Sequence, residues 1–306
     1  MLALAEPVGA LARVIRCIAM DPSRRHVCVL AAACVAPAAW AAPATTSMVA
    51  VPQDVWEDHR RFLNGRYAHE VTFYGGPGAR RDVIELVLLQ QALRLGGWRE
   101  GLFPLTLPTD VRLLHEVAIG HAVLAGTTYW LEDIRQEASD LVPSSAWVAP
   151  GEFEVGVYVR PGNRRALAVR SAQALRGLSA VSCRDWRVDW RTLSAMGLKA
   201  LLHAPSWDSM PAMVAAGRAD FLLAPFQPNA DMSLTVGSVR LVPVPGLKVR
   251  LAGTRHVPLS RHAPQFERVH ASLELGLRQM RARGVIRRAY TESGFFNARV
   301  SGWTVV

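Results

Sequence analysis

The segment from residue 178 to residue 226 alternates apolar runs with helix-like stretches, and this alternation is the strongest constraint on the fold. It begins with the apolar run at residues 178–181 and predicts a strand, a helix, a strand, a helix and a strand, in that order. Gly197 and Gly217 stand where the two helices need a left-handed residue after their last turn. Because the connections are short, the pattern favours a parallel sheet and predicts one α/β lobe.

A similar pattern comes earlier in the chain. Residues 71–74 alternate like a strand, a glycine-rich stretch interrupts them, and residues 82–95 predict a buried helix. Thr109 is the expected N-cap of a helix over residues 110–119, which leads into a strand over residues 121–125. The sequence therefore predicts a second α/β lobe, whose first strand lies near residue 71.

Length and composition fit two lobes. The chain has 306 residues, 50% hydrophobic and 20% charged, which is enough for two lobes of roughly 100–150 residues each. Residues 155–159 are expected to carry the chain across to the second lobe, and two helices over residues 264–283 and 285–293 to return and cover the first. The predicted organisation is a signal peptide at 1–41, an N-terminal extension at 42–66, lobe 1 at 67–153 plus 253–306, and lobe 2 at 154–252.

The N-terminal residues predict an export signal. A basic pair at residues 24–25 precedes an apolar run at 27–36, and Ala-Trp-Ala at 39–41 offers small residues where a signal peptidase reads them. The apolar run is shorter than the ~20 residues that span a bilayer. We therefore expect cleavage after residue 41 and a soluble periplasmic chain. A start at Met1 or Met20, and general or twin-arginine export, stay open.

The cysteines indicate that the exported chain contains no disulfide. Cleavage would leave Cys183 alone, because it removes the other three cysteines, Cys17, Cys28 and Cys34. One thiol cannot form an intrachain disulfide, so the core must hold the fold, and no zinc cluster is indicated.

Net charge argues against a nucleic-acid protein. The full chain carries +10, and the part after residue 41 keeps 31 basic and 23 acidic residues, a net charge of +8. The positive charge is not gathered into runs and is not interleaved with aromatic residues. We expect no nucleic-acid partner and a preference for anionic or carboxylate-bearing ligands.

Several short motifs together resemble the type 2 periplasmic solute-binding family. They are Ala216-Gly-Arg-Ala-Asp220 after a predicted helix, the turn from Leu193 to Gly197, the crossover Val155-Gly-Val-Tyr-Val159, and Met280-Arg-Ala-Arg-Gly284-Val-Ile286. The resemblance covers residues 67–296. It implies two Rossmann-like α/β lobes joined by a two-strand hinge, in a monomer that serves an ABC transporter. The solute would lie where strand carboxyl ends and helix amino ends face each other.

The resemblance also implies ligand-binding residues in lobe 1. Members that bind amino acids hold the ligand carboxylate with a threonine and an arginine shortly after the second strand, which points to Thr127, Thr128 and Arg135. The alternative for Arg135 is an exposed helix arginine. The family's ammonium-binding acid would fall at Pro225 or Phe226, and neither is charged, which argues against an α-amino acid.

Geometry suggests further candidates at strand ends. Tyr74 and Gly75, with Arg80 and Arg81 nearby, sit before a helix where backbone amides can reach an anion, although a plain turn would look the same. The matching place in lobe 2 holds Ser182, Arg184, Asp185 and Trp186, with a helix cap and simple packing as the alternatives for the last two. Aromatic walls or core side chains are the two interpretations of Trp207 and Phe226.

Sequence motifs for catalysis, cofactors or metals are lacking. There is no Gly-x-Ser-x-Gly elbow, no phosphate-binding loop and no His-Glu-x-x-His pair. We therefore expect a binding protein that passes a small polar solute to a membrane permease, with no cofactor and no catalytic residues. A sensory module that reports the solute to a receptor is the alternative. A cleft enzyme using Glu132 or Asp133 as proton donor is the remaining one.

Overall fold

The computed structural model describes residues 47–108, 110–137 and 139–306. The predicted signal peptide and its cleavage site lie outside these residues, and so does the predicted N-cap Thr109. Within the described ranges, no helix combines the length and the apolar character needed to cross a membrane.

The described chain alternates strands and helices for most of its length. The strands are Ser47–Pro52 (β1), Leu102–Leu107 (β2), Leu124–Ala125 (β3), Tyr129–Trp130 (β4), Leu141–Pro143 (β5), Glu154–Val159 (β6), Ser179–Ser182 (β7), Ala200–His203 (β8), Phe221–Pro225 (β9), Leu234–Val236 (β10), Val239–Arg250 (β11), Arg255–His256 (β12), Pro258–Ser260 (β13) and Thr304–Val305 (β14). The α-helices are Gln53–Leu63 (α1), Arg81–Leu95 (α2), Asp110–Ala118 (α3), Leu131–Glu137 (α4), Arg164–Leu167 (α5), Ala172–Leu175 (α6), Arg187–Ala195 (α7), Ser209–Ala215 (α8), Phe266–Ala282 (α9) and Val285–Glu292 (α10). Short 3₁₀ turns lie at Ala68–Glu70 and Ala298–Val300.

Two sheets share one strand order. The first runs β2-β1-β3-β13-β5, with β1 parallel to β2 and β3, and with β13 antiparallel to both its neighbours. The second contains β8-β7-β9-β6-β11 in the same sense, with β6 as the antiparallel strand. Each sheet therefore receives one returning strand from the other half of the chain, and the two halves are topologically equivalent lobes.

Two segments cross between the lobes. The first runs from β5 to β6 and the second from β11 to β13, and the short pair β4 and β12 lies beside them. In parallel sheets the carboxyl ends of strands face the crevice where ligands bind. Here those ends are the chain after β3 in lobe 1 and the chain after β7 in lobe 2.

The predicted start of lobe 1 is wrong. Residues 71–74 form no strand, and the segment predicted as an extension contains β1 and α1. β1 lies between β2 and β3, and Ala50 and Val51 are fully buried. The alternating residues 71–74 are instead a loop held by Gln91, whose amide donates to the carbonyls of Ala68 and Val71 at 2.8 Å.

Most other predicted elements are confirmed. In lobe 2 the structure has β7, β8, β9, α7 and α8 within a few residues of their expected bounds, and β6 crosses as expected. Apolar stretches at residues 239–244 and 248–251, which the sequence pattern separates, form one long strand, β11, and β2 was not predicted. The closing helices α9 and α10 return to lobe 1. A Cβ on Gly276 of α9 would lie 1.8 Å from the carbonyl oxygen of Ala92 in α2, so these helices touch through backbone.

Removing β1 should abolish folding, because β1 pairs with both β2 and β3 and fills the centre of the lobe 1 sheet. We expect a chain that begins at residue 67 to show no cooperative urea unfolding by circular dichroism. A chain that begins at residue 43 keeps β1 and α1 and should unfold cooperatively. Cooperative unfolding of the shorter chain would contradict this role for β1.

Buried His59 should make stability depend on pH. Its side chain is 2% exposed, burial lowers its pKa to about 4, and its Nδ1 has no hydrogen-bond partner within the described residues. The unfolded chain takes up this proton near pH 6.5, so stability is complete above that pH and is lost as pH falls towards 4. Between pH 7 and pH 4 the free energy of unfolding of the parent should fall by about 2–3 kcal/mol more than that of His59→Gln, as measured by urea unfolding. If the free energies of unfolding of the two proteins changed equally with pH, this role of His59 would be contradicted.

Candidate functional site

Glu85 is the centre of a buried polar network in lobe 1. It lies in the apolar helix α2 and is fully buried. Its carboxylate accepts hydrogen bonds from the backbone N–H and the hydroxyl of Thr128, at 2.9 and 2.8 Å, and from the hydroxyl of Tyr290, at 3.0 Å. Both of its oxygens also pair with Nη1 of Arg81 at 2.9–3.0 Å. A buried carboxylate needs such partners to stay charged. The network therefore fixes Thr128, which lies between β3 and β4, and Arg81 beside it.

Arg81 keeps an unused donor at this place. Its Nη1 also approaches the Thr128 hydroxyl at 3.4 Å, and its guanidinium lies 5.6 Å from the centre of the Phe153 ring. Its Nε is buried and has no hydrogen-bond partner within the described ranges. An unpaired buried donor on a cation is costly, so an acceptor supplied by a bound molecule would be favourable here.

Arg255 brings a second guanidinium to the same place. It lies in β12, and its Nε donates to the Thr128 hydroxyl at 2.9 Å while Nη2 donates to the Thr128 carbonyl. Its guanidinium lies over the rings of Trp130, at 4.8 Å, and Phe153, at 5.3 Å. Burial and the neighbouring charge of Arg81 lower the pKa of Arg255 to about 10, so it remains protonated at neutral pH.

Lobe 2 faces this cluster with an acid. Asp189 lies in the first turn of α7, and its Oδ2 accepts a hydrogen bond from the indole N–H of Trp130 at 3.3 Å. Burial raises the pKa of Asp189, while the charge of Arg255 opposes the rise. Two residues further along the same helix, Arg191 provides a second bridge between the lobes, because its Nη1 and Nη2 each lie 2.9 Å from a carboxylate oxygen of Glu132 in α4. The lobes are therefore in direct contact along α7.

Asp133 is the second acid near the cluster. Its Oδ1 is buried without a hydrogen-bond partner in the described part of the chain. Burial raises its pKa to about 6, against the lowering effects of Arg255 and Arg187. The site thus offers one unused donor, on Arg81, and one unused acceptor, on Asp133.

A cavity of about 420 Å³ adjoins the cluster through Trp130. Both crossing segments and both lobes line it, with Pro150, Gly253 and Val188 among the lining residues. Arg135 of α4 also lines it, is exposed, and has no hydrogen bond or ion pair to another described residue. Volumes of this size hold small ligands.

The lobe 1 residues predicted from sequence separate into two groups. Thr128 lies in the cluster, Thr127 beside it is buried, and Arg135 lines the cavity. Tyr74 is buried elsewhere: its hydroxyl donates to Gln91 at 2.7 Å and its backbone N–H to Glu292 at 2.8 Å. Gly75 packs against the same region, where a Cβ would lie 2.9 Å from the Glu292 carbonyl. The structure explains both as packing residues.

Arg80, which the same loop suggested as an anion ligand, serves the fold. Its guanidinium is surrounded by Asp54, Asp58 and Asp82 at 2.7–3.0 Å. These contacts tie α1 to the start of α2 and leave Arg80 engaged with the chain's own carboxylates.

The lobe 2 residues predicted from sequence gather around the end of β7. Ser182 is buried, Arg184 is exposed with its guanidinium 5.4 Å from the Trp190 ring, and the ring of Trp186 lies 6.2 Å from that of Trp207. Asp185 is exposed and provides no side-chain cap for α7. Phe226 is 2% exposed and packs edge-on against Trp303. It is therefore a core side chain, because no face of it is open to a ligand.

Sequence reasoning missed Glu85, Arg255 and Asp189 as site residues. A usable signal existed for Glu85, since it is the one acid inside the apolar stretch at residues 83–89. Arg255 gives no such signal, because its partner Thr128 is 127 residues away and only the crossing of β12 brings them together. Asp189 looked like an ordinary first-turn acid. No group of three or more potential metal ligands is found in the described ranges.

Comparison with known proteins identifies the fold. No protein-family model matches the sequence, and no curated protein matches it. Among solved structures, the periplasmic VFT2 domain of BvgS from Bordetella pertussis is similar, with 15% identity over 80% of this chain and 92% of that one, at a TM-score of 0.52. The probable amino-acid ABC transporter extracellular-binding protein ytmK from Bacillus subtilis is also similar, with 10% identity over 81% and 97% and a TM-score of 0.52. The predicted fold, two α/β lobes of the periplasmic binding protein type 2 kind, is confirmed.

Replacing Glu85 should destabilise the protein strongly. Glu85→Gln leaves Arg81 with an uncompensated buried charge, and breaking a buried pair in this way costs about 3–5 kcal/mol. Glu267→Ala, which removes an exposed acid from α9, is the matched control and should cost less than about 0.5 kcal/mol. Urea unfolding at pH 7 measures both. Equal, small effects would show that the network adds little to stability.

Proposed function

We propose that this chain captures a small anionic solute between its two lobes outside the cytoplasm and delivers it to an ABC-type membrane transporter. The observation that carries the proposal is the unpaired buried Nε of Arg81, which lies beside Thr128 and Arg255 at the carboxyl edge of the lobe 1 sheet. The fold supports the two-lobed mode of binding, and the name of the Bacillus neighbour suggests the transporter.

The charges favour an anionic group on the solute. Two guanidinium groups meet near Thr128, and Glu85 is already engaged by five hydrogen bonds. A carboxylate placed against Arg81 would accept from its free Nε and would offset the repulsion between Arg81 and Arg255. The free Oδ1 of Asp133 can accept from a hydroxyl or amide on the same solute.

Lobe closure supplies the switch between loading and release. Entry of a solute requires the bonds from Trp130 to Asp189 and from Arg191 to Glu132 to separate, because these bonds close the cleft in the structure. Contacts of one solute with both lobes would then stabilise the closed state relative to the open one. The crossing segments act as the hinge. Residues 1–41 supply the predicted export signal for this role.

The proposal is tested by binding to matched variants. A thermal-shift screen of monocarboxylates, dicarboxylates, hydroxy acids and amino acids identifies a solute, and calorimetry then measures its affinity. Arg81→Lys keeps a charge for Glu85 but loses Nε, so we expect binding to weaken by roughly tenfold or more, or about 1.5–3 kcal/mol. Arg278→Ala, which removes an exposed arginine from α9, is the control and should bind like the parent.

Two results would refute the proposal. One is a screen in which no anionic solute raises the unfolding temperature of the parent. The other is an anionic solute that binds Arg81→Lys as tightly as the parent.

A further inference from the structure

Arg255 lies in surroundings that proteins build for bound cations. The Trp130 and Phe153 rings lie 4.8 and 5.3 Å from its guanidinium, the Thr128 carbonyl accepts from Nη2, and the Thr128 hydroxyl accepts from Nε. Aromatic faces and backbone oxygens around a cation are a recognised arrangement for guanidinium and ammonium groups. In this cleft the chain supplies the cation itself.

The acids of the cleft complete that arrangement. Asp189 from lobe 2 and Asp133 from lobe 1 are both within electrostatic range of Arg255, and each has Arg255 as its strongest favourable charge. Glu85, on the far side of Thr128, is also attracted to it. Arg187 of α7 acts on Asp133 as well. A solute cation entering the cleft would have to displace Arg255 or lie beside it.

Arg255 cannot easily leave this place. It lies in β12, which pairs with β4 in the order Arg255 to Trp130 and His256 to Tyr129, and its backbone also bridges Val148. His256 is fixed in turn by hydrogen bonds to Ser144 at 2.6 Å and Thr254 at 2.7 Å. The guanidinium is thus held beside the crossing segments, and Asp189 of lobe 2 is linked to it through Trp130, whose ring covers the guanidinium and whose indole N–H donates to Asp189.

We propose that Arg255 permanently occupies the cation subsite of the cleft and thereby sets specificity: the protein takes anionic solutes that lack an ammonium or guanidinium group. This rests on the proposed function and narrows its solute class to carboxylates such as dicarboxylates or hydroxy acids. Arg255 also places a favourable charge near Asp189, and Trp130, which packs on Arg255, donates a hydrogen bond to that acid.

Chemical rescue tests the occupied subsite directly. Arg255→Ala leaves a space between Trp130 and Phe153 that methylguanidinium fits. We expect low-millimolar methylguanidinium to raise the unfolding temperature of Arg255→Ala by about 2–4 °C with saturable dependence, at constant ionic strength. It should leave the parent unchanged. Arg268→Ala is the control, because it also removes an arginine from an aromatic ring, that of Trp98 at 5.1 Å, but on an exposed surface. It should not respond.

Small-angle scattering gives the second readout. Methylguanidinium should make Arg255→Ala more compact, and the added change Asp189→Asn should remove that effect. Absence of a saturable rise in folded Arg255→Ala, or an equal rise in the parent, would overturn the proposal.

A measurement on the parent covers the case in which Arg255→Ala does not fold. Calorimetry of the parent with arginine and with methylguanidinium should give no saturable binding. Binding of either compound to the parent that Asp189→Asn abolishes would overturn the proposal, because it would show an empty cation subsite. These outcomes are independent of the solute screen: a failed rescue with a tight anionic ligand refutes only the role of Arg255, and a successful rescue without such a ligand refutes only the proposed function.

Discussion

The carboxylate of Glu85 is the interaction on which the cleft depends. It joins α2 to the chain after β3 through Thr128 and to α10 through Tyr290, whose position in the sequence is 205 residues away. A charged group in the centre of an apolar helix is unfavourable unless every lone pair is used, and here five hydrogen bonds use them. The same carboxylate makes it possible to bury Arg81. The positive charge of Arg81 can therefore lie at the edge of the sheet without destabilising lobe 1.

Arg255 is the second buried cation of the cleft, next to the pair of Glu85 and Arg81. Glu85 pairs directly with Arg81, whereas Asp189 and Asp133 act on Arg255 through their charge without an ion pair to it. Trp130 couples the two lobes, because one face covers Arg255 while its indole N–H reaches Asp189. In the proposed movement of the lobes, Asp189 leaves the indole N–H of Trp130 when the cleft opens.

The sequence predicted lobe 2 well and the start of lobe 1 poorly, for physical reasons. In lobe 2 the helices α7 and α8 are each followed by a glycine with positive φ, Gly197 and Gly217, and the strands between are short apolar runs. In lobe 1 the strand β1 follows directly on residues outside the described chain and passes into α1 at Pro52 without a polar turn. Residues 71–74 imitate a strand by alternation alone. They pair with no strand of the sheet in the described part of the chain. The side chain of Gln91 instead binds the carbonyls of Ala68 and Val71 and holds this segment as a loop.

The candidate site shows the limit of the same reasoning. Thr128 and Arg135 were proposed from the family resemblance, which places a threonine and an arginine shortly after the second strand. Arg255 and Tyr290 enter through the returning segments, 127 residues after Thr128 and 205 after Glu85. Local patterns carry no information on such pairs, since the register of β12 against β4 places Arg255 and the packing of α10 places Tyr290. In a two-lobed fold with equivalent halves, the returning strands are where function can differ while the sheets stay the same. Residues on the segment that leads into a returning strand, as Arg255 leads into β13, should therefore be considered first when the ligand of such a protein is sought.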